Sequence, residues 1–174
     1  MWWVHLCSRT KRTISMKNVL IPVDLAPASA DLAGRVARAI DDRVNIYLFH
    51  AFDIPDSLVA AMQRMGGGGH YGLITEELRL KCRKVKKQNG NIDNISFGIM
   101  YGSTDAAFRN YAEANRIDLI VVPEGYRFIP LVRDSVDPLR MFRRSGIPLL
   151  TDLTPVARAA QAPKRAVTDV GAMQ

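Results

Sequence analysis

Cysteine is scarce in this sequence, because Cys7 and Cys82 are the only two among its 174 residues. Two cysteines in a chain of this length do not make a disulfide framework, and their spacing fits no zinc motif. We therefore expect a protein of the reducing cytoplasm without a bound metal. Long apolar runs are also missing, since none approaches the roughly 20 residues that cross a bilayer. The segment 1–15 has no apolar stretch typical of a secretory signal, so no membrane association is expected.

Motifs of well-known enzyme classes are absent too. The sequence has no Gly-x-Ser-x-Gly and no Gly-x-x-x-x-Gly-Lys-Ser/Thr. The run Gly66–Gly69 has neither a preceding strand nor a following Lys-Ser/Thr, so we expect a flexible loop there. His5 and His70 have no partners at ligand spacing, and His50 lies inside an apolar run and is expected in the core. The sequence therefore predicts a protein without catalytic activity.

The excess of positive charge is concentrated near the two ends of the chain. The formal net charge is +7, but residues 17–151 hold 18 basic and 15 acidic residues. Two basic clusters remain inside, and neither is interleaved with aromatic residues as a nucleic-acid footprint would be. We interpret them as solvated helix faces, and nucleic-acid binding is not expected. The clusters are Lys81, Arg83, Lys84, Lys86 and Lys87, and then Arg140, Arg143 and Arg144.

Short apolar runs alternate with segments of helical periodicity along the chain. The order βαβαβαβαβ implies parallel strands joined by right-handed crossovers, hence one α/β domain. We place this domain at 17–153, after an extension at 1–16 and before a flexible tail at 154–174. Pro22 lacks an N–H and predicts imperfect pairing at the end of the first strand. The predicted strands are 17–24, 44–52, 92–101, 118–122 and 147–150, and the last helix is predicted at 135–144.

Ligands of parallel sheets lie beyond the carboxyl ends of the strands, where helix N-termini point. That rule selects the segments 24–29, 52–56, 101–104 and 123–135 as places for a site. Asp24 also has a structural interpretation, because aspartate readily accepts hydrogen bonds from the first N–H groups of a helix. Both interpretations of Asp24 remain open from the sequence.

Three parts of the chain resemble the universal stress protein family in order and spacing. Lys17-Asn-Val-Leu-Ile-Pro-Val-Asp24 with Ala28-Ser29 resembles its first strand and helix. Tyr101-Gly102-Ser103 through Ile117-Asp118-Leu-Ile-Val-Val122 resembles its third helix and fourth strand. Ser135-Val136 and Ser145-Gly-Ile-Pro148-Leu-Leu150 resemble its last helix and strand. The resemblance covers roughly residues 17–152 and leaves the segment 53–72 unaligned.

The resemblance implies an open five-stranded parallel sheet with helices on both faces, Rossmann-like and adenine-nucleotide α-hydrolase-like. It also implies a homodimer formed through the last strand. An apolar edge strand of that kind is normally paired or protected, which agrees with a dimer. The edge residues are Ile147, Pro148, Leu149 and Leu150. Any other protein partners are unknown.

Some members of the family bind ATP through Gly-x-x-Gly, nine residues and Gly-Ser/Thr after the fourth strand. Here Pro123 and Tyr126 stand at the first two glycines, unless Gly125 serves with a one-residue shift. Asp134 stands at the third, before Ser135, and the spacer is two residues short. Proline has no N–H for a phosphate, and a carboxylate would repel one. The motif is therefore predicted to be degraded.

These observations predict a non-catalytic, dimeric stress-response protein that acts through protein contacts and holds no cofactor. The alternative is an ATP-binding stress sensor with weak or no ATPase activity, which takes ATP with or without Mg²⁺ and in which Asp24 is the adenine-side acid. If nucleotide is bound, the resemblance places it on nine residues. They are Pro22, Val23, Asp24, Phe52, Gly102, Gly125, Arg127, Ser135 and Val136.

Overall fold

A computed structural model describes residues 15–54 and 69–153. The predictions for the terminal segments 1–14 and 154–174, and for the glycine loop as far as residue 68, lie outside the described residues. The strands are β1 Met16–Pro22, β2 Arg43–Phe52, β3 Ile92–Tyr101, β4 Leu119–Val121, β5 Ser135–Val136 and β6 Leu149–Leu150. The helices are α1 Ser29–Ala39, α2 Glu76–Gln88, α3 Asp105–Ala114 and α4 Leu139–Arg144, with a 3₁₀ helix at Gly69–Leu73.

Five strands form a parallel sheet in the order β3-β2-β1-β4-β6, which confirms the predicted architecture. β1 begins at Met16 and pairs regularly with β2 as far as Pro22, so the irregularity predicted at Pro22 does not occur on that side. The N–H of Val23 donates to the carbonyl of Phe49 at 2.9 Å. Neighbouring residues face opposite edges of a strand, so the nitrogen of Pro22 faces β4, whose pairing with β1 already ends at Leu20.

A sixth short strand departs from the predicted five. β5 runs antiparallel to the end of β2, with Ser135 beside Phe52 and Val136 beside Ala51. The helix predicted at 135–144 was therefore placed too early, and α4 begins only at Leu139. Pro138 explains the difference, because the residue before a proline is disfavoured in the helical conformation. The segment before it stays extended and is free to pair with β2.

Helices cover both faces of the sheet, as predicted. Helices α1 and α2 pack on one face over a core that includes Val19 and Ile21, whereas α3 and α4 pack on the other over Leu20. This alternation along β1 is what a strand buried on both faces requires. The second core contains a group of aromatic rings, in which Phe49 lies 5.8 Å from Phe108 and 5.7 Å from Phe142.

Two helices begin at side-chain caps. The hydroxyl of Thr75 accepts from the N–H of Leu78 at 3.2 Å, and that of Thr104 from the N–H of Ala107 at 3.1 Å. Threonine is one of the residues that commonly cap helices in this way. Within the described ranges, every helix is too short or too polar to traverse a bilayer.

Candidate functional site

The chain leaves β1 through a tight turn organised by Asp24. Its Oδ1 accepts hydrogen bonds from the N–H of Ala26 at 3.1 Å and from the hydroxyl of Ser29 at 3.0 Å. Leu25 adopts a left-handed conformation with φ of 53° and a buried side chain. That conformation costs roughly 1–2 kcal/mol for a residue with a Cβ. Helix α1 has Ala28 as its N-cap and no side-chain cap, so Asp24 stabilises the preceding turn rather than the helix itself.

A cavity of about 220 Å³ opens beside this turn. It brings together four residues of the predicted nucleotide site, namely Pro22, Val23, Asp24 and Arg127. The cavity therefore lies at the carboxyl end of β1, where parallel sheets place their ligands. The rest of its lining comes from the start of α1 and from the loop after β4. These residues are Ala28, Ser29, Leu32, Tyr126, Phe128 and Ile129.

Apart from Arg127, the loop residues of this lining were not predicted as site residues. Tyr126, Phe128 and Ile129 are aromatic or apolar residues in a loop, and that composition was the available signal in the sequence. Burial, assisted by the charges of Asp137 and Asp24, raises the pKa of Tyr126 well above its ordinary value of 10.0. The phenol is therefore neutral at physiological pH. The polar groups of the lining residues are one carboxylate, one guanidinium and two hydroxyls, those of Ser29 and Tyr126.

Three other predicted residues serve the sheet instead of the cavity. The ring of Phe52 is fully buried and stacks on His70, with 3.7 Å between ring centroids. The N–H of Gly102 donates to the carbonyl of Phe52 at 2.8 Å, and its φ of 121° is one that glycine adopts readily. Val136 pairs with Ala51 through β5. None of the three lines the cavity at the end of β1.

Gly125 occupies a turn directly after β4. The N–H of Tyr126 donates to the carbonyl of Pro123 at 3.0 Å, and Gly125 has φ of 76°. Because Glu124 has a negative φ, this is the pattern of a type II turn, which favours glycine at its third position. A Cβ on Gly125 would meet no atom within 4 Å. The glycine is thus required by backbone conformation and not by close packing.

Three hydrogen bonds of the Ser135 side chain, at the start of β5, hold the loop after β4. Its hydroxyl oxygen accepts from the N–H groups of Leu131 at 3.0 Å and Val132 at 3.1 Å. It also lies 3.1 Å from Nε2 of His50. A hydroxyl has two acceptor sites and one donor. The two N–H groups occupy the acceptor sites, so the O–H donates to His50 and its hydrogen-bonding capacity is fully used.

This arrangement fixes the protonation state of His50, which is buried in β2 as the sequence predicts. Nε2 accepts the hydroxyl proton of Ser135, so Nδ1 carries the hydrogen and donates to the carbonyl of Val23 at 2.7 Å. Burial lowers the pKa of His50 below 6.5, while the Val23 carbonyl and Asp24 oppose that shift. The neutral ring therefore connects the end of β1 to the start of β5.

A second histidine joins the loop to the neighbouring strands. Nε2 of His70 lies 3.2 Å from a carboxylate oxygen of Asp134, and its Nδ1 lies 3.1 Å from the hydroxyl of Tyr101. The carbonyl of Asp134 accepts from the N–H of Asp53 at 2.7 Å. The sequence assigned no partner to His70, because its contacts are far away in the chain and follow no motif spacing.

The cavity has the composition of a binding site. Among the described residues, no cluster of three or more His, Cys, Asp or Glu side chains could hold a metal ion. The fold and the cavity together define an α/β protein with a parallel sheet and a cavity at the carboxyl end of β1. Its loop after β4 is closed by the hydrogen bonds of Ser135.

A sequence model of the universal stress protein family matches residues 16–125. The chain therefore belongs to the universal stress protein family, as its motifs predict. Among curated proteins, none matches this sequence.

Solved structures of universal stress proteins are similar to this chain in fold. UspA from Lactobacillus plantarum is 18% identical, with 78% of this chain and 96% of that chain covered at a TM-score of 0.51. A universal stress protein family member from Burkholderia pseudomallei is 14% identical. The match covers 79% of this chain and 96% of that chain at a TM-score of 0.45. A universal stress protein in complex with cAMP is 19% identical. The match covers 78% of this chain and 96% of that chain at a TM-score of 0.43.

Proposed function

We propose that this chain is a non-catalytic universal stress protein of the cytoplasm that acts as a homodimer through protein contacts and holds no nucleotide cofactor. The observation that carries the proposal is the closure of the loop after β4 around Ser135. In the family motif, as the resemblance aligns it, the Ser/Thr at this position ends the ATP-binding segment. Here two backbone N–H groups and His50 use all of its hydrogen-bonding capacity.

The rest of the loop also lacks the features of a phosphate cradle. A cradle needs several backbone N–H groups converging on one anion. Pro123 contributes none, and the N–H groups of Leu131 and Val132 are already bound to Ser135. The carboxylate of Asp134 adds a negative charge within the same loop, held beside His70 at 3.2 Å. A triphosphate would therefore meet few backbone donors and the repelling charges of Asp134 and Glu124.

The size of the cavity supports the same conclusion. Small-molecule sites typically enclose about 300–1,000 Å³, whereas the cavity beside Asp24 encloses about 220 Å³. The closed loop and the small cavity thus oppose nucleotide binding together.

Titration with ATP and Mg²⁺ tests the absence of a nucleotide cofactor. A ligand present at 100 times its dissociation constant raises the free energy of unfolding by about 2.7 kcal/mol, which a thermal-shift assay detects readily. We expect no shift at millimolar ATP. Stabilisation of the wild-type chain by ATP, with loss of the effect in Arg127→Glu, would contradict the proposal and assign the cavity to nucleotide.

One observation favours the alternative of an ATP-binding stress sensor with weak or no ATPase activity. Asp24 and Arg127 line the same cavity, at the strand end where the family places nucleotide. In that case Asp24 would contact the base, Arg127 would balance the phosphate charge and Mg²⁺ would accompany the phosphates. The ATP titration separates the two functions, because only the sensor is stabilised.

The proposed dimer uses the edge formed by Ile147, Pro148, Leu149 and Leu150. In the described part of the chain β6 is the last strand on its side of the sheet, and Leu149 is 38% exposed. We expect light scattering at micromolar concentration to give the mass of a dimer, and Leu149→Lys to give a monomer. Leu80→Lys on α2, where the leucine is 55% exposed, is the control and should remain dimeric. A wild-type monomer would contradict the dimer.

A further inference from the structure

The opposite edge of the sheet is formed by β3, which is the terminal strand on that side within the described residues. The N–H of Gly102 donates inward to the carbonyl of Phe52. Neighbouring residues of a strand direct their backbone groups to opposite edges. The register with β2 is regular from Asn94 onward, so the N–H and C=O groups of Ile95, Phe97 and Ile99 point outward. Unpaired groups of this kind form a template for one more strand.

A basic groove of about 330 Å³ runs between this edge and α2. The guanidinium carbon of Arg79 lies 5.5 Å from the centre of the Phe97 ring, which it partly covers. The helix side of the groove therefore carries cations, and the strand side is amide and apolar. The residues that line it include Arg79, Arg83 and Lys86 from α2, and Asn94, Ile95 and Phe97 from β3.

The positive charge of the groove is only partly balanced. Arg83 pairs with Glu76 at 2.6 Å, and both side chains are exposed. In the part of the chain that the structure describes, no acidic side chain pairs with Arg79 or Lys86. An occupant with negative charge would therefore gain attraction without displacing an existing ion pair from those two residues.

We propose that the β3 edge and this basic groove bind an extended acidic segment of a partner protein by strand addition. The inference rests on the proposed function and deepens it, because it names the surface and the class of partner. The segment pairs its backbone with the outward groups of β3. Its alternate side chains lie on the same face of the sheet as Ile95 and Phe97, beside the cations of α2.

The spacing of the two elements fits this mode of binding. Arg79 and Arg83 are four residues apart on a helix, which corresponds to about 6 Å along its axis. Alternate side chains of a strand are separated by about 6.6 Å. Acidic residues at every second position would thus meet successive cations of α2. Nucleic acid would satisfy the cations but not the alternating donors and acceptors of the strand edge, so a peptide is favoured.

Fluorescence anisotropy on the full chain tests the proposal with a labelled heptapeptide, Glu-Val-Glu-Val-Glu-Val-Glu, at low ionic strength. We expect it to bind, whereas the matched peptide with lysine in place of glutamate does not. Lys86→Glu should weaken binding at least about threefold, because it replaces a surface attraction with a repulsion. Lys84→Glu makes the same charge change on the same helix outside the groove and should leave the affinity unchanged.

N-methylation of the peptide separates strand addition from simple charge attraction. Methyl groups on one alternate set of nitrogens should abolish binding, and those on the other set should be tolerated, because only one edge of the peptide faces β3. Three results would overturn the proposal. They are equal effects of the two sets of methyl groups, equal effects of Lys86→Glu and Lys84→Glu on affinity, and tighter binding of an oligonucleotide than of the peptide. If the Lys86→Glu variant were a monomer while the wild-type chain is a dimer, the β3 edge would be the contact between two copies of this chain. That result would also overturn the proposal.

The outcomes distinguish this inference from the proposed function. Peptide binding together with stabilisation by ATP would overturn the nucleotide-free function and leave the β3 site standing. If the peptide does not bind and ATP does not stabilise the chain, the β3 site is wrong and the nucleotide-free function still holds.

Discussion

Replacing Ser135 with alanine tests the network that closes the loop after β4. The change removes the acceptor of the N–H groups of Leu131 and Val132, at 3.0 and 3.1 Å, and the donor to Nε2 of His50. A buried polar group that loses its partner costs about 1–3 kcal/mol. Leu131 and Val132 are half-buried, so water can replace part of their lost bonding. We therefore expect the free energy of unfolding to fall by about 2 kcal/mol in total.

Urea denaturation and thermal melting measure this loss, and a 2 kcal/mol change in a chain of this size lowers Tm by about 4–8 °C. The control is Ser103→Ala, because Ser103 is exposed and its hydroxyl makes, among the described residues, a single long contact of 3.3 Å with Asp53. That variant should stay within about 0.5 kcal/mol of the wild-type chain. An equally small effect of Ser135→Ala, with an unchanged denaturation slope, would refute the closed loop.

Three further predictions concern groups within the core. Burial lowers the pKa of His50 below 6.5, so the unfolded chain binds its proton more readily and the free energy of unfolding should decrease as pH falls below about 6.5. His50→Gln should flatten this decrease in urea melts at successive pH values, and an unchanged slope would contradict the assignment. Gly98→Ala would place a Cβ 2.2 Å from the hydroxyl of Tyr111 and should cost about 1–3 kcal/mol by chemical denaturation. Tyr111→Phe in the same chain should restore part of that loss, and no restoration would locate the strain elsewhere. Burial raises the pKa of Cys82 to about 11, so in a Cys7→Ser chain its alkylation at neutral pH should be slow until denaturant is added. Rapid alkylation of the folded chain would mean that the thiol is accessible.

The α/β order and the parallel sheet were predictable because local patterns carry them. Val19, Leu20 and Ile21 form a continuous apolar run, as a strand covered on both faces requires. The stripe of Leu78 and Cys82 likewise follows the helical period, and both side chains are buried on α2. These patterns depend only on residues close in the sequence, so they can be recognised without the tertiary contacts.

The candidate site was only partly predictable. The rule for parallel sheets located the end of β1, and Asp24 and Arg127 do meet in one cavity there. Phe52 and Gly102 fell within the selected segments, yet their roles are a buried ring and a backbone bond inside the sheet. Strand ends can be identified from sequence, but the direction of each side chain depends on the packing of the elements around it.

The sequence by itself determined the family and the alternation of strands and helices. It also predicted that Pro123, Tyr126 and Asp134 stand where the phosphate motif of the family has glycine. Only the tertiary structure showed how that loop is closed. His50 and Ser135 are 85 residues apart in the chain, and they meet because β5 folds back onto the end of β2. No local pattern encodes a hydrogen bond over that separation, since it exists only when the sheet has assembled.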